Sequence, residues 1–327
     1  MKFLFIFTTL LTTFLFFGQE TNDGIFYYDS IGNSTQKENY HYYKIIKDFK
    51  LKQNKYKYTY FNKKNNITSE GYTSNKMYNT NVDEYKSYYN NGNLKEVIVY
   101  DSLSRMNGMF IEYYENGKKA IEGENKIIDN KSNHTILSFW DQNGKQTVTN
   151  GNGIYSRTKK EEKYFFSEKG RYKNGLKDGD WEGKESYSND VNCLLTFNEK
   201  YQDGRLVEGC SYDDDYNPHI YTEQFINPEP KEGLSSFLKF VQRNYHTDEI
   251  AENITKDISG RIIVEFVVEK DGTINDIRVI KDLGFGTGKE AVRMLKSAPK
   301  FVPGQSRGKT VRVRYMLPIY INIKTSE

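Results

Sequence analysis

Histidine, cysteine, tryptophan and proline are scarce in this chain of 327 residues, which contains four His, two Cys, two Trp and six Pro. The histidines are scattered and lack the spacing of metal ligands. No Ser-His-Asp order and no pair of carboxylates stands out that would carry nucleophilic or acid–base chemistry. We therefore predict no catalytic residue, no metal, no cofactor and no small-molecule substrate, and hence a protein that is not an enzyme.

The chain also lacks an excess of charge of one sign. Its net charge is +3, with both signs interspersed, so nucleic acid is not a predicted partner. Hydrophobic residues are only 36% of the chain, yet it contains 27 Tyr and 20 Phe. Because disordered chains usually lack aromatics, this composition predicts a folded chain with a thin, tyrosine-rich core. Tyr suits half-buried sheet faces, since its ring packs inward while its hydroxyl reaches water.

An apolar run at residues 3–17 follows Met1-Lys2 and ends at Gly18-Gln19. This pattern predicts a signal peptide over residues 1–18, cleavage near Gly18, and export to the periplasm. The alternative is an uncleaved inner-membrane anchor, but a helix of this length spans roughly 22 Å, short of the ~30 Å hydrocarbon core. Phe16 fits the small-residue cleavage pattern poorly. The absence of a nearby Cys argues against a lipoprotein.

In an oxidising compartment, Cys193 and Cys210 are permitted to form a disulfide. Both residues flank a predicted hairpin in adjacent strands. The alternative is a pair of buried free thiols. Neither Cys has a nearby His or Asp arrangement that would indicate a nucleophile.

A short unit recurs over residues 55–212: an aromatic residue, one or more polar residues, and then Asn-Gly or Asp-Gly. The glycines of the five copies are 25, 27, 31 and 29 residues apart. They are Gly92, Gly117, Gly144, Gly175 and Gly204. Asn-Gly and Asp-Gly favour two-residue type I′ hairpin turns, because both central positions need a positive φ. The repeats therefore predict a β-meander of stacked hairpins, preceded by a poorly assigned segment or cap at residues 19–54.

Residues 170–183 (GRYKNGLKDGDWEG) resemble a MORN-type repeat, and the neighbouring copies resemble the variant found in bacterial exported proteins. The resemblance implies a sheet scaffold or binding surface without catalytic activity. Residues 213–233 break the repeat pattern. They hold Pro218, Pro228 and Pro230, and because Pro cannot donate to a strand ladder, we predict an extended linker.

Residues 234–327 predict a small α+β domain. Leu234, Phe237, Leu238 and Val241 have helical spacing. An alternating segment at residues 260–270 is joined by Asp271-Gly272 to a returning partner strand at residues 273–281, and a second helix is expected at residues 289–297. Residues 310–323 alternate again. The order predicts a three-stranded antiparallel sheet covered on one face by two helices. The fold class of the whole chain is thus mainly β: a meander of hairpins followed by this domain.

A series of short motifs runs through residues 237–323. They are Gly260, the Val264/Phe266/Val268 alternation, Asp271-Gly272-Thr273-Ile274, Ala291, residues 299–304 (PKFVPG), Gly308-Lys309 and Leu317-Pro318-Ile319. Together they resemble the C-terminal domain of TonB. One departure is His246, where that family commonly has Pro after the Tyr, which leaves the end of the first helix less fixed.

The resemblance implies a module that binds a periplasmic peptide segment of an outer-membrane receptor along its last strand, by β-strand addition. The residues of that edge are Val311, Arg312, Val313, Arg314, Tyr315, Met316, Leu317, Ile319 and Ile321. Arg312 and Arg314 are expected to face solvent and to attract an acidic peptide. The alternative is that they protect an exposed edge from aggregation.

Three hypotheses follow for the function of the chain. The first is a periplasmic binding protein of outer-membrane transport systems. The second is an envelope scaffold that uses its repeats, with the C-terminal domain mediating self-association as a homodimer through the last strand. The third is an inner-membrane energy transducer with an uncleaved N-terminus.

Residues 284–289 (GFGTGK) resemble part of a phosphate-binding loop. The motif needs Gly at the position of Leu283 and Ser or Thr at the position of Glu290. We therefore predict a loop that enters a helix, without a phosphate.

The signal-peptide prediction is tested by the intact mass of the protein from fractionated native cells. We expect the loss of about 18 residues and recovery in the soluble periplasm. A full-length mass in the inner membrane would contradict it and favour the energy transducer.

Overall fold

The computed structural model describes residues 22–30, 32, 34–76, 80–161, 164–186, 195–213 and 215–325. The predicted signal peptide lies outside the described residues. The chain divides into two compact units, Met1–Gln146 and Thr147–Glu327. Over the described ranges, every helix is too short or too polar to cross a bilayer.

Residues 24–221 form an antiparallel meander whose sixteen strands follow in sequence order, which confirms the predicted fold class. The first unit contains β1 (Gly24–Tyr28), a 3-10 helix (Lys37–Asn39), β2 (Tyr42–Ile46), β3 (Tyr56–Asn62), β4 (Ile67–Thr73), β5 (Asn81–Tyr88), β6 (Leu94–Tyr100), β7 (Met106–Tyr113), β8 (Lys119–Ile128) and β9 (Lys131–Trp140). The boundary between the units falls within β10 (Gln146–Thr149). The second unit continues with β11 (Asn152–Glu161), β12 (Tyr164–Lys173), β13 (Leu176–Ser186), β14 (Leu195–Gln202), β15 (Arg205–Tyr212) and β16 (Pro218–Tyr221).

All five repeat glycines lie in turns and have positive φ, between 80° and 90°. The loops at Gly175 and Gly204 have two residues, because Asn174 and Asp203 also have positive φ and their flanking residues pair directly. The other three loops are one residue longer than predicted. At Gly92, for example, the glycine N–H donates to the Tyr89 carbonyl and the Tyr89 N–H donates to that of Asn93. This geometry is a type I turn followed by a left-handed glycine.

Successive turns of the first unit are joined by hydrogen bonds from side chains to carbonyls. Asn91 Nδ2 and Asn93 Nδ2 both donate to the carbonyl of Glu115, at 2.8 and 2.9 Å. The Tyr114 hydroxyl donates to the Trp140 carbonyl at 2.7 Å. Each turn therefore supplies partners to the next, which accounts for the recurrence of Asn and Tyr around each glycine.

Aromatic rings on one face of the meander lie over glycines on a neighbouring strand. Phe110 is opposite Gly123, and a Cβ on that glycine would overlap the Phe110 ring and the Thr135 carbonyl. In the second unit, Phe197 is opposite Gly183, and Tyr221 is opposite Gly209. All three rings are at least 95% buried. The bare glycines leave room for rings that would otherwise stand in water, which produces the thin aromatic core predicted from composition.

The C-terminal domain begins with α1 (Gly233–Asn244) and a short α2 (Asp248–Glu252). Strands β19 (Ile258–Val268) and β20 (Ile274–Lys281) follow, then α3 (Thr287–Leu295) and β24 (Val313–Ile323). The sheet order is β20-β19-β24, antiparallel. Its buried face packs on Phe237, Ile250, Ala291, Met294 and Leu295 of the helices. The small α+β region is thus confirmed, with α2 as an additional helix.

The segment predicted as an extended linker contains paired strands. β16 extends the meander, β17 (Phe225–Ile226) pairs with β22 (Gln305–Ser306), and β18 (Glu229–Pro230) pairs with β21 (Phe301–Val302). Strand β22 also pairs with β23 (Lys309–Thr310). Prolines are compatible with these strands because they lie at strand ends or in two-residue pairings, where few N–H donors are needed.

Cys193, one of the two residues permitted to form a disulfide, lies outside the described residues. Cys210 is half-buried on β15, directly opposite Asn198 of β14.

The packing of rings on glycines predicts that Gly123→Ala lowers the free energy of unfolding by about 1–3 kcal/mol. The added methyl group overlaps a backbone carbonyl as well as Phe110, so it cannot be relieved by a side-chain shift alone. Urea unfolding followed by circular dichroism measures the change. Lys126→Ala, at an exposed position of the same strand, is the control and is expected to change stability by no more than about 0.5 kcal/mol. Equal midpoints for Gly123→Ala and the parent chain would contradict the prediction.

Candidate functional site

Strand β24 forms one edge of the C-terminal sheet. It pairs with β19 from Val313↔Val268 to Ile323↔Ile258 without a register shift, and in the described part of the chain no strand pairs with its other edge. Its odd-numbered side chains from Leu317 to Ile323 are buried, whereas its even-numbered ones are exposed. Of the predicted edge residues, Val313, Arg314, Tyr315, Met316, Leu317, Ile319 and Ile321 lie in this strand. Val311 and Arg312 immediately precede it.

Pro318 shows which backbone groups of β24 face the open edge. It lies opposite Ile263 of β19, in the middle of the strand. A proline has no N–H, so within a sheet it is tolerated where its nitrogen points away from the partner strand. N–H and C=O directions alternate along a strand, as side chains do. The even-numbered residues of β24 therefore direct their backbone groups outward, and Pro318 leaves one gap in that row of donors.

The exposed side chains of β24 change character along the strand. Immediately before the strand, Arg312 forms a bidentate ion pair with Glu269, with both N···O distances 2.7 Å, and also contacts Asp276 at 3.3 Å. The hydrogen bond from Arg312 holds the pKa of Glu269 below its usual value. Further along, Met316 is 58% exposed and Tyr320 is 74% exposed.

Arg314 differs from its neighbour, because its side chain is 65% exposed and lies 3.6 Å from a single carboxylate, that of Glu265. Exposed pairs of this length are weak. Of the two arginines that the sequence singled out, Arg312 is thus engaged within the domain, and Arg314 is the one accessible to an incoming anion.

The motifs that were separate in the sequence meet beneath β24. The turn at Asp271-Gly272 contacts β21: the Phe301 N–H donates to the Gly272 carbonyl at 2.8 Å, and a Cβ on Gly272 would overlap the Phe301 carbonyl. The Asp271 carboxylate accepts hydrogen bonds from the Thr273 hydroxyl and N–H, which lower its pKa to about 2, with Lys300 3.4 Å away. Gly272 is therefore required both by its positive φ and by the close approach of a second backbone.

An aromatic cluster supports the strand from inside. Phe301 makes edge-to-face contacts with Phe237 and Phe266, at centroid distances of 5.2 and 5.8 Å. Tyr315 of β24 stacks on Phe266 at 5.3 Å. The buried rings hold β24 against β19, so its open edge is presented on a rigid element.

The end of α1 is held by polar contacts despite the departure from the family pattern at His246. The His246 N–H donates to Glu290, and Arg293 donates to the Asn244 carbonyl. The Tyr245 hydroxyl donates to the Thr287 carbonyl at 2.9 Å, and burial raises its pKa. The expectation of a less fixed helix end was therefore wrong, because Arg293 and Glu290 of α3 supply the contacts.

The GFGTGK loop turns around its own aspartate. The Asp282 carboxylate accepts hydrogen bonds from the Gly284 and Gly288 N–H groups and from the Thr287 hydroxyl. The loop enters α3, as predicted, and the Asp282 carboxylate accepts from the Gly288 N–H in the first turn of that helix.

Neither the special position of Pro318 nor the engagement of Arg312 was predicted from the sequence. The signal for Pro318 was available, since a proline within a strongly alternating run indicates an edge strand. The pairing of Arg312 with Glu269 and Asp276 had no local signal, because these residues are 43 and 36 positions away.

The family described as Gram-negative bacterial TonB protein C-terminal matches residues 251–323. The match starts within α2 and ends with β24, so it includes β19, β20, α3 and the open edge. No curated protein and no solved structure matches the chain. The likeness of residues 55–212 to MORN repeats stays a prediction. Residues 251–323, with their sheet and edge strand, belong to the TonB C-terminal domain family.

Proposed function

We propose that this protein is exported to the periplasm and that β24 binds an extended segment of an outer-membrane transport receptor by strand addition. The observation that carries the proposal is the open edge of β24, an eleven-residue strand paired on one side only among the described residues. The family match supports a place in the cell envelope, and strand addition is a recurrent mode of peptide recognition.

The outward backbone groups set the strength of such binding. Arg314, Met316, Tyr320 and Asn322 each offer one donor and one acceptor, and Pro318 offers an acceptor alone. A net gain of about 1 kcal/mol for each hydrogen bond formed is opposed by an association cost of several kcal/mol. The complex is therefore expected to be weak and reversible, which suits a receptor that is engaged and released.

The exposed charge on β24 favours one position for an acidic residue of the incoming peptide. Arg314 is exposed and only loosely paired, so an acidic residue in the incoming segment gains more there than at Arg312, which Glu269 and Asp276 already neutralise. The bidentate pair at Arg312 fits edge protection better than steering.

Pro318 argues against the alternative, self-association through β24. In a pairing of two β24 strands that runs through position 318, each copy contributes a proline, so the shared ladder loses two hydrogen bonds. A peptide from a different protein meets one proline and loses one. A proline at the centre of an edge strand is also a known barrier to edge-to-edge association.

Energy transduction is the further possibility that the family match raises. It requires an anchor that touches an energised inner membrane, and the candidate segment lies outside the described residues. With the signal peptide removed, the chain would bind receptors without pulling on them, so we propose a binding role.

Strand addition predicts that Met316→Pro weakens peptide binding by about tenfold or more, since it removes an outward donor. The pairing with β19 should survive, because residue 316 does not donate to that strand. Met316→Thr, which keeps the N–H, is the control, and its peptide affinity should lie within about twofold of that of the parent chain. Titration calorimetry of the mature chain with synthetic periplasmic segments of outer-membrane receptors from the same genome measures both. Binding by the parent chain that Met316→Pro leaves unchanged would exclude β24 as the site.

The role of Pro318 predicts that Pro318→Val promotes self-association, because it restores the missing donor in the outer row. We expect sedimentation velocity to show a dimer population that rises with concentration and exceeds that of the parent chain. Pro318→Val combined with Met316→Pro should reverse it. If the parent chain dimerised as strongly as Pro318→Val, and Met316→Pro abolished that dimer, the result would instead support self-association through β24.

A further inference from the structure

An arginine from the C-terminal domain is buried in the last repeats of the meander. Arg307 lies at the tip of the β22–β23 hairpin, where Arg307 (φ 47°) and Gly308 (φ 77°) form the two-residue turn. The side chain of Arg307 is only 6% exposed. A positive φ at a bulky residue is uncommon and persists when surrounding contacts hold it.

The socket that receives Arg307 is made by β13 and β14. The guanidinium forms an ion pair with Glu199, approaches Glu185 with an Nε–Oε2 distance of 3.4 Å, and lies 3.7 Å from the centroid of the Phe197 ring. Both carboxylates are at least 95% buried. Three charged groups are thus removed from water together, and their stability depends on one another.

The remaining acceptor capacity of Glu199 is also used. The hydroxyls of Tyr201 and Tyr221 each donate to it at 2.8 Å, and Gln224 Nε2 donates at 3.1 Å. Burial, and then the nearby Glu199 charge, raise the pKa of both tyrosines, so these hydroxyls remain donors. A buried network in which the charges have partners is rigid, because no member can leave without exposing the others.

The backbone of the hairpin is fixed at the same place. The Arg307 N–H donates to the Gln224 carbonyl at 2.7 Å, and the Ser211 hydroxyl donates to the Arg307 carbonyl at 2.7 Å. The side chain, the N–H and the carbonyl of Arg307 therefore all bind partners between Glu185 and Gln224, in the last strands of the meander and just after them.

The hairpin leads directly into the candidate binding edge. The Val311 N–H donates to the Gly304 carbonyl at 3.0 Å and closes the hairpin. Gly304 packs against Val313, the first residue of β24, so closely that a Cβ would lie 2.5 Å from a Val313 methyl group. Movement of the hairpin would therefore be transmitted to the first residues of β24.

We propose that Arg307 is a positioning residue: the socket on the last repeats holds the start of β24 in its binding-competent strand conformation, so peptide binding at this edge depends on the repeats. The inference rests on the function proposed for β24. Its physical basis is preorganisation, since an edge that is already ordered pays less entropy when a peptide binds. Residues 185–224 precede the family match, so this support comes from the part of the chain outside the TonB-like domain.

The experiment compares two variants of the full mature chain with the parent chain. They are Arg307→Met, which keeps much of the side-chain length without the charge, and Glu199→Gln. Lys300→Met is the matched control, since it removes an exposed ion pair with Asp271 from the same domain. Two readouts are taken: amide hydrogen exchange over residues 305–316 and 317–323, and the affinity for the receptor peptides used above.

We expect residues 305–316 to exchange at least about tenfold faster in both socket variants, with residues 317–323 nearly unchanged. Peptide affinity should fall by about five- to tenfold, because the competent edge is populated only part of the time. The variant that combines Arg307→Met with Glu199→Gln should lose no more peptide affinity than Arg307→Met alone, because both substitutions break the same network. Lys300→Met should match the parent chain in both readouts.

Unchanged exchange over residues 305–316 in Arg307→Met would overturn the proposal, as would unchanged affinity when the parent chain binds peptide. If the parent chain binds no peptide, the function proposed for β24 fails, and the exchange readout still decides whether Arg307 orders the strand. Should Arg307→Met fail to fold, Arg307→Lys is the second variant. Because an ammonium cannot make the same forked contacts, faster exchange and weaker binding are expected there too, and parent-like values in both would overturn the proposal.

Discussion

The placement of aromatic rings on glycines of the neighbouring strand is the constraint on which the other features depend. A sheet of paired hairpins buries little surface by itself, and Phe110, Phe197 and Tyr221 become buried because Gly123, Gly183 and Gly209 leave space beneath them. The same rings have second roles. Phe197 faces the Arg307 guanidinium, and Tyr221 donates to Glu199, so the packing of the last repeats also shapes the socket of the C-terminal hairpin.

The socket of Arg307 combines hydrophobic packing with a buried ion-pair network. Hydrophobic packing tolerates small displacements, whereas an arginine and two carboxylates buried together do not, because any separation leaves a charge without water or partner. The chain segment from Tyr221 to Pro230 adds short pairings at both ends of this contact. The segment predicted as an extended linker is therefore held by backbone hydrogen bonds to residues 301–306, and the edge strand begins at Val313, shortly after these partners.

Among the described strands, the open edge of β24 has unpaired backbone groups and also has residues that limit edge-to-edge association. Its buried side chains and the aromatic cluster below hold it against β19, while Pro318 interrupts its outward donors and Arg312 is paired with Glu269 and Asp276. Under the function proposed for β24, such an edge offers enough backbone groups for a short peptide and too few for extended self-pairing. Arg314, Met316 and Tyr320 give the exposed side of the strand a charged end and an apolar end.

The sequence by itself determined the local structure. Alternation at residues 260–270 and 310–323 predicted strands, glycine-containing turns predicted the meander, and the motifs around Asp271, Phe301 and Pro318 led to the correct family for the last domain. These features depend on neighbours in the chain, which propensity and periodicity reflect. Only the tertiary structure decided the length of three turns, the pairing of residues 218–230, and the partners of Arg307 and Arg312. Glu199 is 108 residues from Arg307, and a contact over that separation leaves no periodic trace in a single sequence. The cost of burying charge selects such pairs, and that cost appears only when the chain is folded.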